Sequence, residues 1–377
     1  MKSTYKGALL GVVLGWGAGM AAPGALAGPT IPFGEDKSVS VGFGMRASYT
    51  NTEDAAPDGS RANDFNLDSA RLFLGASLSK HIQGMLNTEW DGSSIRVLDA
   101  AAQFSFSPEL NVWAGRMLSP SDRANMAGPY YSLGGGYWAG VASRYGYNGG
   151  IFRGRDDGVT AWGNLAGGRL GYSVGAYEGR SFGIGSLTQR EASAAGIRAS
   201  DKPMVAGRLQ YDFWDLEPGY YGTGSYLGGK DILAIGLAAR QQADGVLTAG
   251  GIGDYQSWSA DFLLEKRLAG AGAVSLEAAY YEYDTDDVVL GEQGRAWSGG
   301  AGYIFPVSRG SLQPYVRFQK FEADSGIDTR QQDAGVNWVI DGYNAQLGAH
   351  YSRTESRTRT TRAADQSRLV VALQLQY

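Results

Sequence analysis

Hydrophobic and polar residues alternate along most of this chain with a period of two. In "SVSVGFGMRASYT" (38–50), Val39, Val41, Phe43, Met45, Ala47 and Tyr49 share one face; Ser38, Ser40, Gly42, Gly44, Arg46 and Ser48 share the other. "SARLFLGASL" (69–78) sorts the same way with Phe73 as its exception, and "NAQLGAHYS" (344–352) repeats the pattern near the far end. This is the strand signal, because successive side chains on a strand point to opposite faces. About sixteen such segments are predicted. They fall near 38–50, 67–79, 82–90, 96–106, 110–118, 157–165, 169–178, 204–213, 231–241, 255–265, 273–283, 295–305, 311–321, 331–340, 344–353 and 367–377.

Connection length carries the next signal. Tight turns are predicted at 79–81, 107–109, 166–168, 307–310 and 341–342. Longer polar or glycine-rich links come between them, at 51–66, 119–156, 179–203, 242–254, 284–294, 322–330 and 354–366. Short connections at one end and long ones at the other indicate an all-β transmembrane antiparallel barrel, with periplasmic turns and extracellular loops. A soluble sandwich has no reason to keep that asymmetry. The link 214–230, "WDLEPGYYGTGSYLGGK", departs from the rule by being long where a short turn is expected.

The two faces agree with lipid outside and water inside. One is aliphatic and aromatic; the other carries Arg, Gln, Asn, Ser and Gly. In the last segment, "SRLVVALQLQY", Leu369, Val371, Leu373, Leu375 and Tyr377 share the greasy side. Tyr377 is expected in the interfacial aromatic girdle. Its strand is expected to pair with the first, since lipid tolerates no unpaired edge. An even strand count places both termini at the periplasmic end.

Composition sharpens this picture. Residues 1–27 read as a signal peptide: Lys2 and Lys6, an apolar run from Ala8 to Ala22, then the small-x-small pattern "ALA" at 25–27. The rest, 28–377, reads as a single exported barrel domain in the cell outer membrane. Beyond the signal no stretch approaches the length of a transmembrane helix. The 57 glycines argue against a helical enzyme, because glycine is costly in helix interiors. With no cysteine, stability comes without disulfides. A net charge of −5, with no interleaved basic and aromatic patch, points away from nucleic acid.

A barrel of this strand count is too wide for side chains to fill, so a water-filled lumen is expected. The longest link, 119–156, is rich in Gly, Tyr and Arg and is expected to fold inward and constrict it. Inward polar positions include Arg46, Arg71, Arg208, Arg240, Arg317 and Arg368, while Arg123, Arg144, Arg153 and Arg155 lie in the long link. Guanidinium groups along a lumen lower the barrier for anions by replacing their hydration. Asp68, Glu89, Asp99, Asp261 and Glu265 share the inner face, so charge pairs that stiffen the wall are the alternative. The basic run "RTESRTRTTR" (353–362) is a solvated loop face, a contact for anionic lipopolysaccharide, or a funnel for anions.

Three stretches, "SARLFLGASLSKHIQGMLNTEW", "DAAAQFSFSPELNVWAGRMLSPSD" and "RDDGVTAWGNLAGGRLGYSVGAYEG", resemble the phosphate-selective porins of the porin O/P family. The shared features are an Arg-bearing second strand, a Pro-Glu-Leu…Gly-Arg hairpin before the long loop, and Arg-Asp-x-Gly opening the next strand. The resemblance implies a sixteen-stranded homotrimeric channel in outer-membrane lipid, with its third loop folded into the pore. Selective members of that family bind phosphate or polyphosphate through arginine ladders and a lysine-rich constriction. Here 119–156 holds arginines and no lysine. The implied function is passive diffusion of small hydrophilic solutes, with a lean toward anions.

Two other classes bear on the same residues. A barrel hydrolase needs a nucleophile beside a positioned base, and the chain has only His81 and His350, neither next to a serine in a recognisable frame. There is no phosphate-cradling Gly-Lys loop and no Cys/His cluster, so no cofactor or metal is expected. An adhesin or structural barrel without an open lumen shares every feature of the alternation.

Overall fold

The computed structural model describes residues 29–377, apart from 91, 93, 135–139, 145–153, 180–186, 199, 290–292 and 358–364. The signal peptide, Arg153 and the second half of the basic run, 358–362, lie outside the described residues.

After β1 (Thr30–Gly34) come β2 (Lys37–Thr52), β3 (Ala62–Ser79), β4 (Ile82–Trp90), β5 (Ile95–Ser107) and β6 (Leu110–Leu118). The chain continues through α1 (Arg123–Ala127), β7 (Arg155–Leu165), β8 (Leu170–Tyr177), α2 (Gln189–Ala194) and β9 (Met204–Asp212). Then follow β10 (Ile232–Thr248), β11 (Gly251–Leu268), β12 (Gly272–Asp284), β13 (Gly294–Pro306), β14 (Ser311–Ala323), β15 (Asp328–Asp341), β16 (Ala345–Arg357) and β17 (Gln366–Gln376). From β2 onward each strand pairs antiparallel with the next, and β17 pairs back with β2 from Arg368↔Thr52 to Gln376↔Gly44. The result is a closed barrel of sixteen strands, β2 to β17, with β1 outside that count.

Closure works as the terminal strand requires. Tyr377 and Phe43 exchange two backbone hydrogen bonds, at 2.8 and 2.9 Å, and the Tyr377 ring stays exposed. The outward face is a belt of exposed apolar side chains that includes Phe43, Leu237, Val316, Leu369 and Leu375. A closed barrel with such a belt satisfies every backbone group in lipid. Strand β1 was not expected from the pattern. It folds back on β2, pairing Thr30 with Ser40, and extends the line of β17 along the part of β2 that β17 leaves free.

Connections at the end that carries the termini, here called periplasmic, are tight at 80–81, 108–109, 166–169, 269–271, 307–310 and 342–344. At the other end the strands run further than the alternation indicates. The expected link 242–254 is mostly sheet, because β10 reaches Thr248 and β11 starts at Gly251. Likewise 322–330 shrinks to 324–327. Alternation records lipid on one face and water on the other; past the membrane both faces are wet, and ladder pairing continues without it.

Two local departures from period two shape the lumen. A bulge in β3, where Arg46 pairs with Ser69 but Ala47 with Leu67, leaves Asp68 as the extra residue. Its carboxylate accepts a hydrogen bond from Ser48 Oγ at 3.0 Å and borders the interior. Phe73, the exception in the β3 pattern, faces inward beside Gly44. A Cβ at Gly44 would lie 3.1 Å from Phe73 and 3.2 Å from the Tyr130 ring, so glycine there lets the in-folded loop seat on the wall.

Candidate functional site: the lumen

The described parts of the 119–156 segment fold inside the barrel. The segment leaves β6, meets the opposite wall, and returns where Ser119 N and Oγ both donate to Gly154 O at 2.9 Å. Arginines of the wall hold its entry by backbone carbonyls. Arg240 donates through Nε to Pro120 O at 3.1 Å and through Nη2 to Ser119 Oγ at 2.9 Å, and Arg208 Nη1 donates to Ser121 O at 3.0 Å. Further along, Gln374 Nε2 donates to Tyr130 O at 3.1 Å and Arg317 Nη1 to Leu133 O at 3.0 Å. Helix α1 is capped by Asp122, whose carboxylate also accepts from Ser143 Oγ at 2.8 Å and Tyr281 Oη at 2.9 Å. Burial pushes the Asp122 carboxyl above its usual range.

Buried charge is paired along this packed side. Arg123 donates to both carboxylate oxygens of Glu217 at 2.7 Å, and its backbone N–H donates to Asp261 Oδ2 at 3.1 Å. Burial lowers the affinity of the Arg123 guanidinium for its proton, but the charges of Glu217 and Asp261 outweigh that and hold it above its ordinary value. Arg208 forks onto Asp261, with one bond at 2.9 Å. Gly236 makes room for that fork: a Cβ there would lie 2.2 Å from Arg208 Nη2. Arg71 binds Glu89 through two 3.0 Å bonds and lies over the Tyr130 ring at 4.8 Å; Arg155 Nε donates to Asp99 Oδ1 at 2.8 Å. Arg144 donates to Val141 O at 3.1 Å and sits over Phe321 at 4.3 Å.

The packed side also carries buried apolar clusters, and toward the periplasmic turns Trp113 and Trp162 border a hollow of about 460 Å³ with Gln83, Gln103, Asn111 and Asn164. Trp113, Met117, Trp162, Met204, Ala206, Tyr220 and Tyr255 form one buried cluster inside the barrel. Tyr281, Tyr283 and Phe321 form a second with Ala142 of the in-folded segment. These inward apolar residues depart from the polar lumen expected of a wide barrel. The cause is that segments 119–134 and 214–230 lie against the first cluster and 141–144 against the second.

A wet space remains on the other side. A cavity of about 240 Å³ is bordered by the inner faces of β2, β3 and β14–β17 and by Gly134 of the in-folded segment. Arg46, Arg317 and Arg368 line it with His350, Gln331, Asn337, Gln346 and Gln374, and Asp68 is the carboxylate among its described lining residues. Arg317 is paired to Asp333 at 3.2 Å. Among the described residues, the guanidinium groups of Arg46 and Arg368 make no hydrogen bond or ion pair. Arg46 lies 5.9 Å from the Tyr130 ring centroid. Arg368 also borders a second cavity, of about 440 Å³, toward the loop end with Glu53, Ser352, Thr354 and Asp365. A larger hollow of about 830 Å³ near the β12–β15 mouth is acidic, with Glu282, Asp284, Glu322, Asp324 and Asp328 around Arg295 and Arg357.

The structure thus divides the ten arginines singled out from the sequence. Arg71, Arg123, Arg155, Arg208, Arg240 and Arg317 are engaged by carboxylates or loop carbonyls, and Arg144 by a carbonyl and a ring. Arg46 and Arg368 face open space, and Arg153 lies outside the described residues. Sequence reasoning missed Glu217, Tyr220 and Ser225 as lumen residues; their only signal was the anomalous length of 214–230. Within the basic run, Arg353 pairs with Asp365 at 2.6 Å and Arg357 with Glu355 at 3.3 Å. His81 bonds the Ser105 carbonyl in a periplasmic turn, His350 lines the cavity, and among the described residues neither ring bonds a serine hydroxyl.

A closed sixteen-stranded barrel with a loop folded into its lumen is the fold of the outer-membrane porins. Solved structures bear this out. The chain is similar to an anion-selective porin from Comamonas acidovorans, with a TM-score of 0.61 at 13% identity over 90% of this chain and all of that one. It is similar to the outer-membrane channel DcaP of Acinetobacter baumannii, with a TM-score of 0.58 at 14% identity over 93% of this chain and all of that one. A trimer form of the outer-membrane protein OmpT of Vibrio cholerae matches with a TM-score of 0.56 at 14% identity, over 91% of this chain and all of that one. No protein-family model and no curated protein matches the chain.

Proposed function

We propose that this chain is an outer-membrane porin through which small hydrophilic solutes diffuse passively, with anions favoured at the waist. The observation that carries the reading is the wet cavity beside the in-folded loop, where, among the described residues, Arg46 and Arg368 present unpaired guanidinium groups and Asp68 is the lining carboxylate. Fixed cations at a narrow point replace part of an anion's hydration and repel cations. The acidic hollow near the mouth works against anion entry at low salt, so the preference is a lean and not an exclusion. The anion-selective Comamonas porin and the DcaP channel share the barrel, which supports the channel reading, and the trimer form of the Vibrio protein supports a homotrimer.

Kinship with the phosphate-selective porin O/P family is the finer proposal and stands on the sequence resemblance. Phosphate would compete with chloride at Arg46 and Arg368, since planar donors suit an oxyanion. Lipid and lipopolysaccharide are the proposed surroundings, and the arginines of the basic run 353–362 suit contact with anionic headgroups. Planar-bilayer recording of the purified trimer tests the function. Stepwise conductance is expected, with a reversal potential shifted toward anion permeability in a salt gradient. Silence from correctly folded trimers would refute the channel reading.

A further inference from the structure

We propose that residues 214–230 form a second constriction, which enters the lumen from the periplasmic end, clamps the in-folded loop, and confines permeation to the side bordered by Arg46 and Arg368. This rests on the channel reading and adds the element that sets the cross-section of the pore.

Strands β9 and β10 are antiparallel neighbours, with Ala234 opposite Asp212, and a tight turn would suffice to join them. The chain instead runs from 213 to 231 and spends that length inside the barrel. At one end, the Tyr220 ring packs against Trp113 and Trp162 at 4.8 and 5.9 Å, and its hydroxyl donates to Leu118 O at 2.5 Å. Those tryptophans stand on β6 and β7. At the other end, the hydroxyl of Tyr343, in the turn between β15 and β16, donates to Ser225 O at 2.6 Å. The segment therefore spans the lumen from one wall to the other. Glu265, on β11, pins its return to the wall, accepting from Ser225 Oγ and Tyr226 N at 2.9 Å and from Gly228 N at 2.6 Å.

The clamp on the in-folded loop is backbone to backbone. Gly222 N donates to Met126 O at 3.3 Å and Gly224 N to Tyr131 O at 2.9 Å. A Cβ at Gly224 would lie 3.1 Å from Ser132 Cα and Leu133 N, so the two segments are in direct contact. Arg123 completes the joint by binding Glu217 and donating to Thr223 O at 2.9 Å. Ser225, in what would otherwise be a surface turn, is 0% exposed. A connection that is buried, hydrogen-bonded and charge-paired is a fixed wall of the channel.

The test is single-channel recording on the full-length trimer, comparing wild type with a variant whose residues 216–229 are replaced by Asn-Gly. The shortened variant is expected to conduct at least twofold more, with its anion lean retained because Arg46 and Arg368 remain. A conducting wild type with an unchanged variant would overturn this inference and leave the channel reading standing. If neither conducts, both fall. If only the variant conducts, the obstruction is confirmed and the passive-pore reading falls. A second measurement covers a variant that fails to fold. The chain has no cysteine, and a Cβ at Gly222 would sit 3.6 Å from Met126 Cβ, within disulfide reach. The double variant Met126→Cys/Gly222→Cys is expected to close a reductant-reversible bond in the folded barrel, seen as a gel-mobility shift. Failure of that bond to form under oxidation would overturn the proposed clamp.

Discussion

Arg208 and Arg368 both reach from barrel strands into the lumen, yet one is fixed and the other is free. Arg208 forks onto Asp261 and holds a loop carbonyl, on a side where Met204, Ala206 and Tyr255 pack in a buried apolar cluster. Arg368 borders two cavities and has no bonded partner among the described residues. The difference lies in what faces the wall. Where segments 119–134 and 214–230 press against it, a guanidinium is desolvated and persists only with its charge and donors satisfied. Where nothing presses, water satisfies it and its charge stays available to a passing ion. The same residue type braces one side and is exposed to solute on the other.

That contrast predicts unequal responses to substitution. The largest concerns Glu217→Ala, which leaves Arg123 buried with a weakened counter-charge; such a break costs about 3–5 kcal/mol. Urea unfolding of the folded barrel should show the midpoint fall by a corresponding amount. Removing a buried apolar side chain from the same side, Met204→Ala, is expected to cost about 2–5 kcal/mol through lost burial and a residual cavity. On the wet side, Arg46→Ala/Arg368→Ala should change stability by no more than ~1 kcal/mol, two surface-like sites at about 0.5 each. It should also carry the anion-to-cation permeability ratio toward one in a salt gradient. A large loss of stability from that pair, or an unmoved reversal potential, would erase the distinction between the two sides.

The smallest effect lies outside the lumen, at the periplasmic foot. Lys266 and Arg267 hydrogen-bond Asp231 and hold its carboxyl below the usual range. A depressed carboxyl stabilises above its unfolded pKa of about 3.9, and that contribution is lost as pH falls through the folded value. Asp231→Asn should therefore lie slightly below wild type in stability at pH 6, with the gap closing below about pH 4 in a pH-resolved unfolding series.

Much of this architecture was legible in the chain. Lipid on one face and water on the other impose period two, so the strands, the closing role of the Tyr377 strand and the in-folded long link could be read directly. Strand ends at the loop side could not, because alternation fades where both faces are wet. The state of each arginine was hidden too. It depends on partners far away in sequence, such as Glu217 for Arg123 and Asp261 for Arg208. Inward tryptophans at 113 and 162 carry a faint signal, apolar residues on what should be a wet face. The excess length of 214–230 points to the segment that covers them.

The most direct measurement of a divided lumen uses the absence of cysteine. Ala372 lines the wet cavity and Ala206 lies in the buried apolar cluster, both on inward-facing strand positions. In planar bilayers, Ala372→Cys should react with a charged methanethiosulfonate reagent and lose conductance stepwise, while Ala206→Cys should remain unmodified. Modification of Ala206→Cys with an inert Ala372→Cys would place the water path on the other side and contradict the account.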